Sequence, residues 1–138
     1  MSAGQTRGLG PSVIKLGIVA GGGALPALLI AHCKAQNIPH YIIALKGQAA
    51  GDLPRDAEYP MGRAGLMVSE FRAAGVCDLV LIGSVKRPRL FDMAPDFYTA
   101  KFFTRLGLRA LGDDGLLKAV RRQLEEEGFI LHGFQDFL

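Results

Sequence analysis

Val13-Ile14-Lys15-Leu16-Gly17-Ile18-Val19-Ala20-Gly21-Gly22-Gly23-Ala24-Leu25-Pro26 is the stretch that decides the fold. Residues 13–20 are a short, β-branched apolar run without polar alternation, the pattern of a strand covered on both faces. Glycines stop the run. Pro26 then suits a first helical turn, where a missing N–H costs nothing. Helical spacing continues to Gln36, with Leu28, Leu29, Ala31 and Cys33 available for burial and Asn37 as the stop. Pro39 to Leu45 repeats the strand signature through Tyr41, Ile42 and Ile43, which predicts a βαβ unit.

Working outward, a turn-rich stretch from Lys46 to Arg55 precedes a predicted helix at Gly65 to Ala74. Asp78 to Ile82 is a strongly apolar third strand, ended by Gly83-Ser84. Pro95 to Leu111 and Gly115 to Glu127 carry two further helical patterns, and Phe129 to His132 a last short strand. The alternation predicts a three-layer, Rossmann-like α/β domain over residues 13–138 with a mainly parallel sheet. Right-handed crossovers then put helices on both faces and gather the loops after each strand along one edge, where such sheets bind ligands.

The chain has 138 residues, 49% of them hydrophobic, which is enough for one domain with its own core. Its formal charge is only +3, which excludes a nucleic-acid surface and leaves a mild attraction to anions. Cys33 and Cys77 have apolar sequence neighbours and no second pair, so both read as reduced core residues. Residues 1–12 are small, polar and glycine-rich, and are expected to be a disordered tail, neither a signal peptide nor a membrane span. A cytoplasmic location follows by default. His32, His40 and His132 have no ligand spacing and read as structural or surface residues.

Four segments are candidates for chemistry. Gly21, Gly22, Gly23, Ala24 and Leu25 link the first strand to the first helix, where backbone N–H groups and the helix dipole attract a phosphate. Three adjacent glycines exceed what a tight turn needs, and a β-branched residue at Gly22 is expected to block the anion while sparing the fold. Gly83, Ser84, Lys86 and Arg87 follow the third strand at the same edge and suit a pyrophosphate; the alternative is a solvated basic loop. Asp113 and Asp114 read as caps of the following helix, with Mg2+ binding as the alternative. The Phe97 to Arg109 segment carries an aromatic stripe, Tyr98, Phe102 and Leu106 next to Phe103, that suits packing on a partner domain or subunit, or contact with a membrane surface.

A dinucleotide fingerprint is only half matched, because Pro26 stands at its third glycine and the second strand ends Leu45-Lys46-Gly47 without an acid. That argues against NAD and leaves an NADP-type domain as one alternative, through Lys46. A non-enzymatic interaction module is the other.

Taken together, Leu16 to Pro26, Gly83-Ser84-Val85-Lys86-Arg87-Pro88 and Gly112-Asp113-Asp114-Gly115-Leu116-Leu117 resemble the LpxI family, in order and spacing, from about Ile14 onward. That family is UDP-2,3-diacylglucosamine pyrophosphatase of lipid A biosynthesis in Gram-negative bacteria. The resemblance implies hydrolysis of a UDP-diacylglucosamine-type substrate to lipid X and UMP, with Mg2+, at a site between two domains. It also implies that this chain is the N-terminal, substrate-binding domain, inactive alone. By the same resemblance the catalytic C-terminal domain, with the key acid, is expected to be absent from this chain. Apolar surface left open by that missing domain is expected to drive homo-oligomer formation.

Overall fold

The computed structural model describes residues 15–86, 95–106 and 113–137. The expected tail at 1–12, the start of the first strand at Val13 and Ile14, Arg87 and residues 107–112 lie outside them. In chain order the elements are β1 (Leu16–Ala20), α1 (Leu25–Ala35), β2 (His40–Leu45), β3 (Ala57–Tyr59), α2 (Ala64–Ala73) and β4 (Asp78–Ile82). They are followed by α3 (Phe97–Leu106), α4 (Asp113–Glu126), β5 (Ile130–His132) and a 3-10 turn at Phe134–Phe137. The five strands lie in the order β3-β2-β1-β4-β5, and every ladder is parallel.

β1 is the central strand because both its sides are paired along their length, Leu16 to Ala20 against His40 to Ala44 and against Asp78 to Ile82. Alternation sends its side chains to two cores. Leu16, Ile18 and Ala20 join Leu29, Ile30 and Cys33 of α1, with Ile42, Val80 and Ile82. On the opposite face Ile43, Leu45 and Leu79 meet Met67, Val68 and Phe71 of α2, with Tyr98 and Leu124 from α3 and α4 packed against them. The chain leaves β1 toward β2 and returns past it to β4, so right-handed crossovers place α1 and α2 on opposite faces. The three layers follow.

Several expectations need correction. Leu28 and Ala31 are exposed, and the buried residues of α1 are Pro26, Leu29, Ile30 and Cys33, because the helix turns its Leu29–Cys33 row to the sheet. Cys77 is exposed, at the open foot of β4, although Cys33 is buried and its thiol is pushed up to about 11 by that burial. β3 was not foreseen. It is three residues long, pairs among the described residues only with Ile43 to Leu45, and is reached from β2 through a connection without a helix. Pro54, Gly47 and Gly51 keep that connection irregular, and side chains fasten it. Asp56 exchanges bonds with Ile42, N–H to carbonyl at 2.8 Å and carboxylate from the Ile42 N–H at 2.8 Å. Arg55 donates to the Leu53 carbonyl at 3.0 Å, to Glu58 at 2.9 Å and to the Ala50 carbonyl.

Glu70 of α2 ties this edge down by accepting from the hydroxyls of Tyr41 (2.5 Å) and Tyr59 (2.8 Å). Those two donors hold its carboxyl below the usual value of 4.5. Glu127 is likewise held down by the Tyr98 hydroxyl and by Arg72. A carboxyl whose folded value is lowered stabilises the fold fully above its unfolded value, and that contribution disappears as pH falls through the folded value. We therefore expect the melting temperature to drop as pH is taken below about 4.5, and the drop to flatten when Tyr41→Phe and Tyr59→Phe are combined. Calorimetric melts from pH 6 to pH 2, on the order of six points, check this; an unchanged slope would sink the assignment.

Candidate functional site

β1 and β4 diverge in connection, the chain going from β1 to β2 on one side while β4 lies on the other, so their carboxyl ends form the switch point of the sheet. Both sequence-predicted loops meet here. They are joined by an antiparallel bridge in which Gly22 N–H donates to the Ser84 carbonyl at 2.7 Å and Ser84 N–H to the Gly22 carbonyl at 2.9 Å. Gly21 N–H donates to the Ile82 carbonyl at 2.8 Å. Only glycines permit this approach: Gly83 has φ +102° and its Cβ would stand 2.8 Å from the Gly22 carbonyl oxygen, while a Cβ on Gly21 would collide with the Ser84 carbonyl.

The seam divides the predicted phosphate loop. The Gly21 and Gly22 amides are engaged within the backbone, whereas those of Gly23, Ala24 and Leu25 have no partner among the described residues. These three residues are exposed and lead into α1, whose N-terminus carries no side-chain cap. Unpaired amides at an uncapped helix start are groups that can accept an anion. Gly22 also has another role than expected, because a side chain there would meet the Gln48 carbonyl at 2.8 Å and Ser84 Oγ at 3.1 Å before it met a ligand.

Ser84, Val85 and Lys86 are exposed beside this cradle, and Val85 Cγ2 lies against Gly21. Lys86 is held through its backbone. The Gln48 side chain donates to the Lys86 carbonyl at 3.0 Å and accepts from the Lys86 N–H at 2.9 Å. Gln48, in the turn after β2, was missed in the sequence; its one signal is a polar amide in a glycine-rich turn at the ligand edge. Arg87 lies outside the described residues. The chain matches the family described as the LpxI N-terminal domain over residues 15–138.

It belongs to the LpxI family.

The UDP-2,3-diacylglucosamine pyrophosphatase LpxI of Caulobacter vibrioides is 37% identical over 128 residues, 90% of this chain and 45% of that relative. The chain thus spans a little under half the length of the curated relative it matches. The LpxI resemblance read from three motifs therefore holds, and the match begins at Lys15, immediately before β1.

Within this LpxI domain a second helix start at the edge is already closed. Asp96, N-terminal to α3, accepts from Thr99 N–H at 2.8 Å and from Leu66 N–H of α2 at 3.2 Å, and Thr99 Oγ accepts from Ala64 N–H at 2.9 Å. Burial pushes the Asp96 carboxyl up, but these donors outweigh it and hold it below its usual 3.8. A carboxylate of the chain thus occupies the α2 start. The expected aromatic stripe is partly internal as well. Tyr98 packs on the α2-facing core and donates to Glu127 at 2.6 Å, leaving Phe97 83% exposed beside it. The side chains of Phe103 and Leu106 lie outside the description.

α4 begins at Asp113, so Asp113 and Asp114 form its first turn rather than preceding it. Acidic residues suit that end of a helix dipole. Among the described residues no cluster of three or more His, Cys, Asp and Glu gathers in a way that would hold a metal. Among them too, no helix is long and apolar enough to cross a membrane. His132 is structural in a way the sequence does not reveal: its Nε2 lies 2.8 Å from Oδ1 of Asp78, which is 1% exposed.

Proposed function

We propose that this chain is the substrate-binding half of a UDP-2,3-diacylglucosamine pyrophosphatase, holding the substrate's pyrophosphate between the Gly23–Leu25 amides and Lys86. The observation that carries the reading is the open, uncapped start of α1 at the switch point, beside a lysine whose backbone is fixed. Outward N–H groups and an ammonium stabilise charge that builds on phosphoryl oxygens as a P–O bond breaks. Leu25, Leu28 and Val85 are 46%, 57% and 50% exposed around this cradle. That apolar rim supports a covering second half, with the acyl chains of the substrate at its margin.

Hydrolysis to lipid X and UMP also needs an activated water, and the groups to generate it belong, in this reading, to the other half of the enzyme. The resemblance adds Mg2+ to that chemistry. Contact of the full enzyme with the inner membrane from the cytoplasmic side is part of the same proposal, because its substrate is a lipid. So is self-association of the isolated chain through Phe97 and the apolar rim, which sedimentation at high concentration tests; a clean monomer argues against it.

The functional test has two arms. UDP and NADPH are titrated side by side into the chain by calorimetry, and UMP release from UDP-2,3-diacylglucosamine is assayed with Mg2+, first with this chain and then with the second half added. We expect UDP binding, no turnover by the chain alone, and turnover on addition. Tight NADPH binding without UDP binding overturns the reading. Turnover by the chain alone, lost in Asp114→Asn, would move Asp114 from helix start to catalytic ligand.

A further inference from the structure

Three loops converge on the carboxyl edge, and one residue touches the other two. Gln48 stands in the turn after β2, its backbone carbonyl against Gly22 of the β1 loop. Its side chain grips Lys86 of the β4 loop at both polar backbone atoms, 3.0 Å to the carbonyl and 2.9 Å from the N–H. A primary amide matches the N–H and C=O of a single residue here as a neighbouring strand would, one donor and one acceptor side by side. β2 and β4 are not neighbours in the sheet, since β1 lies between them, so the side chain spans a gap that no strand pairing closes.

Resting on the anion-site reading above, we propose that Gln48 is a positioning residue that sets the place of the Lys86 ammonium over the glycine turn for a diphosphate-bearing ligand. Without the clamp, the Gly22–Ser84 bridge still joins the loops, but the chain beyond Ser84 loses its fixed direction two residues before the charge. Gln48 makes no contact with the ligand in this scheme. It acts through Lys86, and that makes a specific prediction.

The probe is UDP, titrated by calorimetry into the unmodified chain, Gln48→Ala, Gln48→Glu, Lys86→Ala and the double variant, with folding followed by thermal melts. Two hydrogen bonds lost from a half-exposed clamp should weaken UDP binding by about tenfold in Gln48→Ala. Gln48→Glu keeps the acceptor for the Lys86 N–H, loses the donor and adds a negative charge, so it should bind no better than Gln48→Ala. In the Lys86→Ala background the Gln48→Ala penalty should vanish, because the ammonium to be positioned is gone; a structural role would leave the penalties additive. Additive penalties, or full affinity in Gln48→Ala, overturn the inference while leaving the anion site standing. No UDP binding by the unmodified chain overturns the site and this inference with it. If Gln48→Ala does not fold, Gln48→Met, which removes both hydrogen bonds without adding a charge, is compared with and without Lys86→Ala and decides in the same way.

Discussion

Gly83→Val is expected to destabilise the domain by about 3 kcal/mol or more, from left-handed backbone strain and loss of the bridging hydrogen bonds. Gly83 has φ +102°, which a β-branched residue tolerates poorly. The new Cβ would also stand 2.8 Å from both the Gly21 carbonyl carbon and the Gly22 oxygen, which are backbone atoms and cannot rotate away. The seam must part, and UDP affinity should fall with it, since the cradle at Gly23–Leu25 hangs from that seam. Urea unfolding measures the first effect and calorimetry the second. A loss below about 1 kcal/mol would mean that the bridge contributes nothing beyond what neighbouring strand pairs already supply.

A second large loss is expected at Phe71. Its ring is 2% exposed and meets Tyr41 and Phe129 edge-on, at centroid distances of 6.3 and 6.4 Å. It also fills the space that Gly17 leaves open on β1, where a Cβ would come within 2.8 Å of Phe71 Cε1. Phe71→Ala removes contacts with the α2-facing side of the sheet and leaves a cavity that strands cannot close, at a cost of about 3–5 kcal/mol. Phe71→Leu keeps most of the volume and should cost clearly less. Equal losses for the two variants in urea unfolding would show that ring geometry, rather than volume, governs this core.

Both sites illustrate what can be read from residues alone. β1, β2 and β4 were legible because buried parallel strands are continuous apolar runs, and β4 at Asp78 to Ile82 falls where its Leu-Val-Leu-Ile core predicts. α1 was legible from Pro26 and its glycine preface. β3 was not, since Ala57-Glu58-Tyr59 has no periodicity of its own and exists by pairing with β2. The place of the glycine turn at the strand ends followed from topology, but not which of its amides stay free. That depends on the Gly22–Ser84 bridge between segments about sixty residues apart, and local sequence carries no trace of it. Gln48 and the Asp78–His132 pair escaped for the same reason.

The central place of β1 sets the order in which this domain can fold. Leu16 pairs with His40, 24 residues later, and with Asp78, 62 residues later, so the strand made first waits longest for its second neighbour. Closing a span of that length before any pairing compensates the lost chain entropy makes parallel sheets of this kind slow to form. During that wait the Ile18-Val19 run of β1 has one bare hydrogen-bonding edge, which makes newly synthesised chains prone to pair with each other. Expression at low temperature and low chain concentration should therefore favour recovery of folded protein, and a refolding yield independent of concentration would contradict it.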